Sequence, residues 1–125
     1  MADHYSVRMT GGVTMPDIRI VPANEASWED LQAIFGTRGD TSRCQCQHYK
    51  ILECDWRSVP VEERAFRLRD QTDCGHPESG TTTGLVAYLA GEPVGWCAVE
   101  PRTEYPRLLV MPIPWAGRAQ DKTDD

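Results

Sequence analysis

The segment Gly84-Leu-Val-Ala-Tyr-Leu-Ala-Gly-Glu-Pro-Val-Gly-Trp-Cys-Ala-Val-Glu-Pro-Arg102 restricts the fold more than any other part of the chain. Residues 85–89 and 94–99 are short apolar runs rich in strand formers, and Ala90-Gly91-Glu92-Pro93 between them is a turn signal, so the segment reads as an antiparallel hairpin. With Ala90-Gly91 as a two-residue turn, Leu89 faces Glu92, Ala87 faces Val94 and Leu85 faces Trp96. Val86, Tyr88, Gly95, Cys97 and Val99 then share the opposite face. Both faces are apolar, and both need cover. Ala90 is unfavourable at positive φ, which leaves the register open by one residue. Pro93 has no N–H and limits the ladder near the turn.

The remaining elements follow from local signals. Residues 1–15 are polar, contain Gly11-Gly12 and read as a flexible N-terminal extension. A strand at Ile18–Val21 ends at Pro22, and Ser27 caps a helix over 28–36 that has Asp30 in its first turn and Gly36 at its end. A polar connector, Thr37–Ser42, leads to Arg43–Lys50. A second helix starts after Ser58 with Pro60 in its first turn, Glu63 placed to pair with Arg67, and Val61, Ala65 and Leu68 as its buried stripe. The Gly, Pro, Ser and Thr cluster at 72–83 reads as an exposed loop. After Arg102 comes a Pro-rich tail, 103–125, in which Tyr105, Leu108–Met111, Ile113 and Trp115 are apolar enough to pack on something. The fold class is α+β.

Charge narrows the function. A net charge of −6 disfavours binding to a phosphate backbone, although eleven of the thirteen basic residues are Arg. No apolar run is long enough to span a bilayer, and Met1-Ala-Asp-His-Tyr-Ser-Val-Arg8 lacks a signal-peptide pattern. The expectation is a cytoplasmic protein with neither nucleic acid nor membrane as partner.

The hairpin, with its Gly91-x-x-Val94-Gly95 sequence, resembles the second and third strands of the GNAT superfamily of acyl-CoA-dependent N-acetyltransferases. Pro16–Ala23 is similar to the family's first strand, Asn24–Leu31 to the entry of its first helix, and residues 58–71 to its second. Arg43-Cys-Gln-Cys-Gln47 and Trp115-Ala-Gly-Arg118 extend the likeness over residues 16–125. The resemblance implies the N-terminal half of a GNAT-like fold, strand–helix–helix–strand–strand, with an antiparallel hairpin and an irregular tail. It makes 16–102 a partial domain and 103–125 a lead into a missing C-terminal half.

In that family acetyl-CoA is held by a Gln/Arg-x-x-Gly-x-Gly/Ala loop, whose backbone N–H groups and helix N-terminus bind the pyrophosphate. Arg8-Met-Thr-Gly-Gly-Val13 is the nearest match in this chain; it ends in Val and precedes the first strand. Acetyl-CoA is therefore the expected substrate of the full-length family, and the chain alone is expected to bind no cofactor and to be inert.

Acetyl transfer needs an acceptor amine that is deprotonated when it attacks, so a carboxylate near the acceptor is the group to seek. Glu100, at the end of the second hairpin strand, is the candidate base, and Trp96, Arg102 and Tyr105 are candidates for contact with the acceptor. Each has a plainer reading: a solvated strand-end Glu, a core Trp, and surface Arg and Tyr. Gln45 and Gln47 face either solvent or substrate.

The cysteines and histidines open another possibility. Cys44, Cys46 and His48 alternate and on a strand would share one side, with Cys54, Cys74 and His76 available to complete a tetrahedral zinc site. The spacing lacks paired C-x₂₋₄-C knuckles, so the expectation is no metal and reduced thiols, with Cys97 buried in the hairpin. Two other functions stand beside acetyl transfer: an assembly module that pairs its hairpin edge with a second copy or a separate C-terminal half, and a small zinc-stabilised module.

Overall fold

The computed structural model describes residues 5–7, 17–52 and 56–111. They form a mixed helix and sheet structure. Four antiparallel strands lie in chain order: β1 (Tyr5–Val7), β2 (Ile18–Pro22), β3 (Gly84–Leu89) and β4 (Glu92–Ala98). Helices α1 (Trp28–Phe35), α2 (Gly39–Cys44) and α3 (Val61–Thr72) all lie in the connection from β2 to β3. The pairing of β1 with β2, Tyr5 opposite Ile20, adds a strand within the stretch read as a flexible extension.

Helix α1 is set by its ends. Ser27 Oγ accepts a hydrogen bond from the Asp30 N–H at 3.0 Å, and Gly36 closes the helix at φ 73°, donating its N–H to the Gln32 carbonyl. Between these ends Leu31 and Phe35 point inward. They meet Val21, Leu68, Val86 and Tyr88 in one core, with Trp28, Ile34, Cys46 and Trp96 packed around it.

The hairpin turn is the two-residue Ala90-Gly91, and both residues take positive φ, 50° and 85°, as a type I′ turn requires. The register matches the expected one through Leu89–Glu92 and Tyr88–Pro93 and differs beyond them. A bulge between Ala87 and Tyr88 leaves Tyr88 opposite Pro93, Ala87 opposite Gly95, Val86 opposite Trp96 and Leu85 opposite Cys97. Val94 is the residue left over. The bulge turns Trp96 onto the helix-covered face beside Val86 and Val21, and Cys97 onto the other face, where it is exposed rather than buried. Among the described residues that other face is apolar and carries no helix. Ile18, Leu85 and Leu89 lie on it and remain 39%, 37% and 37% exposed.

Helix α3 has the expected Glu63–Arg67 pair at 3.0 Å, but its phase is rotated from the expected stripe. Arg64, Leu68 and Thr72 are buried, Ala65 is half-buried, and Val61 is exposed. The 72–83 connection is tied down by buried Asn24, whose Nδ2 donates to the carbonyls of His76 and Ser79. No helix among the described residues is long and apolar enough to cross a membrane.

Candidate functional site

Residues 43–50 do not form a strand. Cys44 ends α2, Gln45 and Cys46 both take positive φ (51° and 58°), and the N–H groups of Lys50 and Ile51 both donate to the Gln47 carbonyl. The alternation of Cys44, Cys46 and His48 therefore gives no shared side. Gln45 and Gln47 face neither solvent nor an open site, since they are 2% and 0% exposed. Gln45 accepts from Gln32 at 2.7 Å, while Gln47 and Gln71 exchange two amide hydrogen bonds of 2.8 and 3.0 Å. These amides replace backbone ladder bonds in an irregular segment, as burial of polar groups demands.

The turn, anchored by fully buried Ile51, aims Lys50 at the end of β4. There Lys50 Nζ donates to Glu100 Oε1 in an ion pair whose side chains are each only 12% exposed. The Lys50 ammonium also lies 4.9 Å from the centre of the Tyr105 ring. Glu100 is thus an enclosed carboxylate, not a solvated strand end. Tyr105 lies between two short helical turns, 102–104 and 106–109, and the Arg107 N–H donates to the Tyr49 carbonyl, which fixes this part of the tail against the Lys50 segment.

A cavity of about 510 Å³ opens beside the pair. It is lined by Lys50, Gln71, Glu100, Glu104 and the threonines 81, 82, 83 and 103. Two carboxylates against one ammonium favour a cationic or amine ligand, and the hydroxyls offer hydrogen bonds to it. Thr83 Oγ1 in this lining is buried without a partner among the described residues, as is the hydroxyl of Tyr105, which does not line the cavity. Burial, and then the nearby Glu100, push the Tyr105 hydroxyl up to about 12, so it remains a proton donor at neutral pH.

The other sequence candidates fall in different places. Trp96 packs into the core, its ring 6.2 Å from that of Phe35. Burial raises the Cys46 thiol pKa, and the Trp96 indole N–H directed at its sulfur partly opposes that shift. Arg102 is half-buried in the 102–104 turn and does not line the cavity. The Cys/His set is dispersed: Cys46 lies beside Trp96, Cys74 is buried after α3, and His76 Nδ1 lies 3.1 Å from Asp73 Oδ1. His48 makes edge contacts with the rings of Tyr49 and Trp56 at 4.9 and 4.7 Å, and Cys54 lies outside the described residues. Among the described residues no group of three or more His, Cys, Asp or Glu side chains is arranged to hold a metal ion.

Comparison with protein-family models, with curated proteins and with solved structures found no match. The site is therefore read from its own chemistry. Lys50 is the residue that sequence reasoning missed. A lysine between Tyr49 and Ile51 in an apolar stretch was the available signal, but its partner lies fifty positions away.

Two tyrosines make the fold alkali-sensitive. Tyr88 donates its hydroxyl to Asp30 at 2.7 Å, and burial followed by that bond raises it to about 12, like Tyr105. Both are acids held protonated by the fold, so between pH 10 and 12 the folded chain binds more protons than the unfolded one. Stability from these groups is complete below pH 10 and is lost as pH rises toward 12. Melting temperature should fall steeply over that interval in the parent protein and less steeply in Tyr88→Phe; equal slopes would contradict the assignment.

Proposed function

We propose that this chain is the N-terminal portion of a GNAT-type N-acetyltransferase, which transfers an acetyl group from acetyl-CoA to an amine, and that it is inactive alone. The observation that carries the reading is strand order. A strand, a helical connection and a hairpin follow one another, β2 pairs antiparallel with β3, and β4 is left at the sheet edge. The resemblance implies a strand, a helical connection and a hairpin in this coarse order; β1 before it and a third helix in the connection are additions, and the edge of β4 among the described residues is where a following strand of the sheet would pair.

The cavity beside Glu100 supports an acceptor role. An amine entering as an ammonium meets Glu100 and Glu104, loses a proton to a carboxylate before it attacks, and is oriented by the threonine hydroxyls. Lys50 competes for Glu100, so an amine must share or displace that contact. The residues present do not fit acetyl-CoA. No Gln/Arg-x-x-Gly-x-Gly/Ala sequence occurs in 17–111, and no step through the coenzyme is assigned to them.

The test is the coding sequence after Asp125. The reading expects Val-x-x-x-Phe-Val followed by Arg-x-x-Gly-x-Gly/Ala; a stop codon there, together with a dimer in solution, would overturn it. That result would favour a second reading, an assembly module that covers the apolar face of Ile18, Leu85 and Leu89 with another copy.

A further inference from the structure

The polar groups around the cavity at Glu100 are not equally available to a ligand, and those left over define the class of molecule it fits. Lys50 spends its ammonium on Glu100 Oε1 and on the Tyr105 ring. Gln71 has its amide oxygen and one amide N–H committed to Gln47. The Thr82 hydroxyl donates to the Gly84 carbonyl at 3.2 Å, the Thr81 hydroxyl lies 3.5 Å from that of Ser79, and Thr83 Oγ1 is sealed from solvent. We propose that this cavity takes an amino-polyol, a small amine with a single positive charge and several hydroxyl groups, its ammonium on the carboxylates of Glu100 and Glu104.

The unspent groups are mostly acceptors. Glu100 gives only Oε1 to Lys50; its Oε2 has no partner among the described residues and is not sealed from solvent. Glu104, exposed on the 102–104 turn, makes no ion pair among the described residues. Thr82 Oγ1 has spent its proton but still accepts, and the exposed Thr103 hydroxyl has no hydrogen bond among the described residues. An ammonium brings three donors and no acceptor, and each ligand hydroxyl adds another donor that also accepts. That is the complement of this lining.

Charge and surface narrow the class. Among the described lining residues two carboxylates face one ammonium that is already held, so one added positive charge brings the cavity to neutrality. A carboxylate beside the amine, as in an amino acid, would meet Glu100 and Glu104 with no cation to answer it, since Arg102 and Arg107 do not line the cavity. Pro106 and the threonine methyl groups are its apolar surface, so an alkyl amine would leave the hydroxyls unpaired. The volume of about 510 Å³ has room for a six-carbon chain and lies in the small-molecule range. The inference rests on the acetyl-transfer reading only for the fate of the bound amine.

The test is a titration of the 125-residue protein, without acetyl-CoA, with 1-amino-1-deoxysorbitol, sorbitol and hexylamine at near-neutral pH and equal ionic strength. The Gln71 side-chain amide and the Thr82 and Thr103 methyl signals are followed by NMR. Saturable shifts with a Kd of about 1 mM or below are expected for the amino-polyol, and binding at least about tenfold weaker for sorbitol, which lacks the charge, and for hexylamine, which lacks the hydroxyls. Glu104→Gln, at an exposed position, should weaken the amino-polyol about tenfold with the fold intact. Unsaturable shifts for the amino-polyol, equal binding of either control, or full affinity in Glu104→Gln would overturn the proposal. Amine binding with no coenzyme loop encoded after Asp125 would uphold it and remove the acetyl-transfer reading; a coenzyme loop without amine binding would do the reverse.

Discussion

Lys50→Met is expected to lower the unfolding free energy by about 3–5 kcal/mol, because it leaves the Glu100 carboxylate enclosed and unpaired. Glu100→Leu should cost a similar amount by stranding the ammonium against Tyr105. The double variant Lys50→Met/Glu100→Leu should regain most of the loss, since apolar side chains of similar size satisfy an enclosed site as well as an ion pair does. Denaturant unfolding of the three proteins closes a double-mutant cycle. A coupling of at least about 2 kcal/mol is expected; single losses that simply add would show that Lys50 and Glu100 do not act as a pair.

Gly84→Ala is expected to cost about 2–3 kcal/mol, through overpacking and not through backbone freedom. A methyl group at Gly84 would stand 2.5 Å from Trp96 Cη2, 2.8 Å from Trp96 Cζ3 and 2.5 Å from the Cys97 carbonyl oxygen. The indole cannot withdraw freely, because its other neighbours are Phe35 and Cys46 of the core. Thermal unfolding of Gly84→Ala alone and combined with Trp96→Leu tests the cause. The second substitution should rescue part of the loss, and no rescue would place the clash on the Cys97 carbonyl instead.

Both predictions turn on contacts that no local sequence pattern announces. The first helix was legible because Ser27 and Gly36 act within their own turns, and the hairpin because Ala90-Gly91 separates two apolar runs. The bulge at Ala87/Tyr88 was not, since strand alternation carries no mark of one unpaired residue. It reversed the faces assigned to Trp96 and Cys97. The 43–50 segment was not legible for a related reason: its alternation would put Cys44, Cys46 and His48 on one side of a strand, but two consecutive left-handed residues fold it into a turn.

The cavity at Glu100 and the buried line of α3 differ in how much of them could be foreseen. Glu100 and Tyr105 were singled out by position at the end of the hairpin, whereas Lys50 reaches Glu100 only through tertiary folding. Arg64 was visible in principle. It lies four residues before Leu68 and eight before Thr72, on the buried line of α3, and an arginine there signals an enclosed charge.

The central proposal is that this chain holds the acceptor side of an acetyltransferase and that acetyl-CoA is held by residues outside it. Calorimetric titration with acetyl-CoA tests this directly, on the 125-residue chain and on the same chain extended by any residues found encoded after Asp125. The account predicts no saturable heat for the chain alone and binding at about micromolar Kd for the extended protein. Micromolar binding by the chain alone, or none by the extended protein, would contradict it.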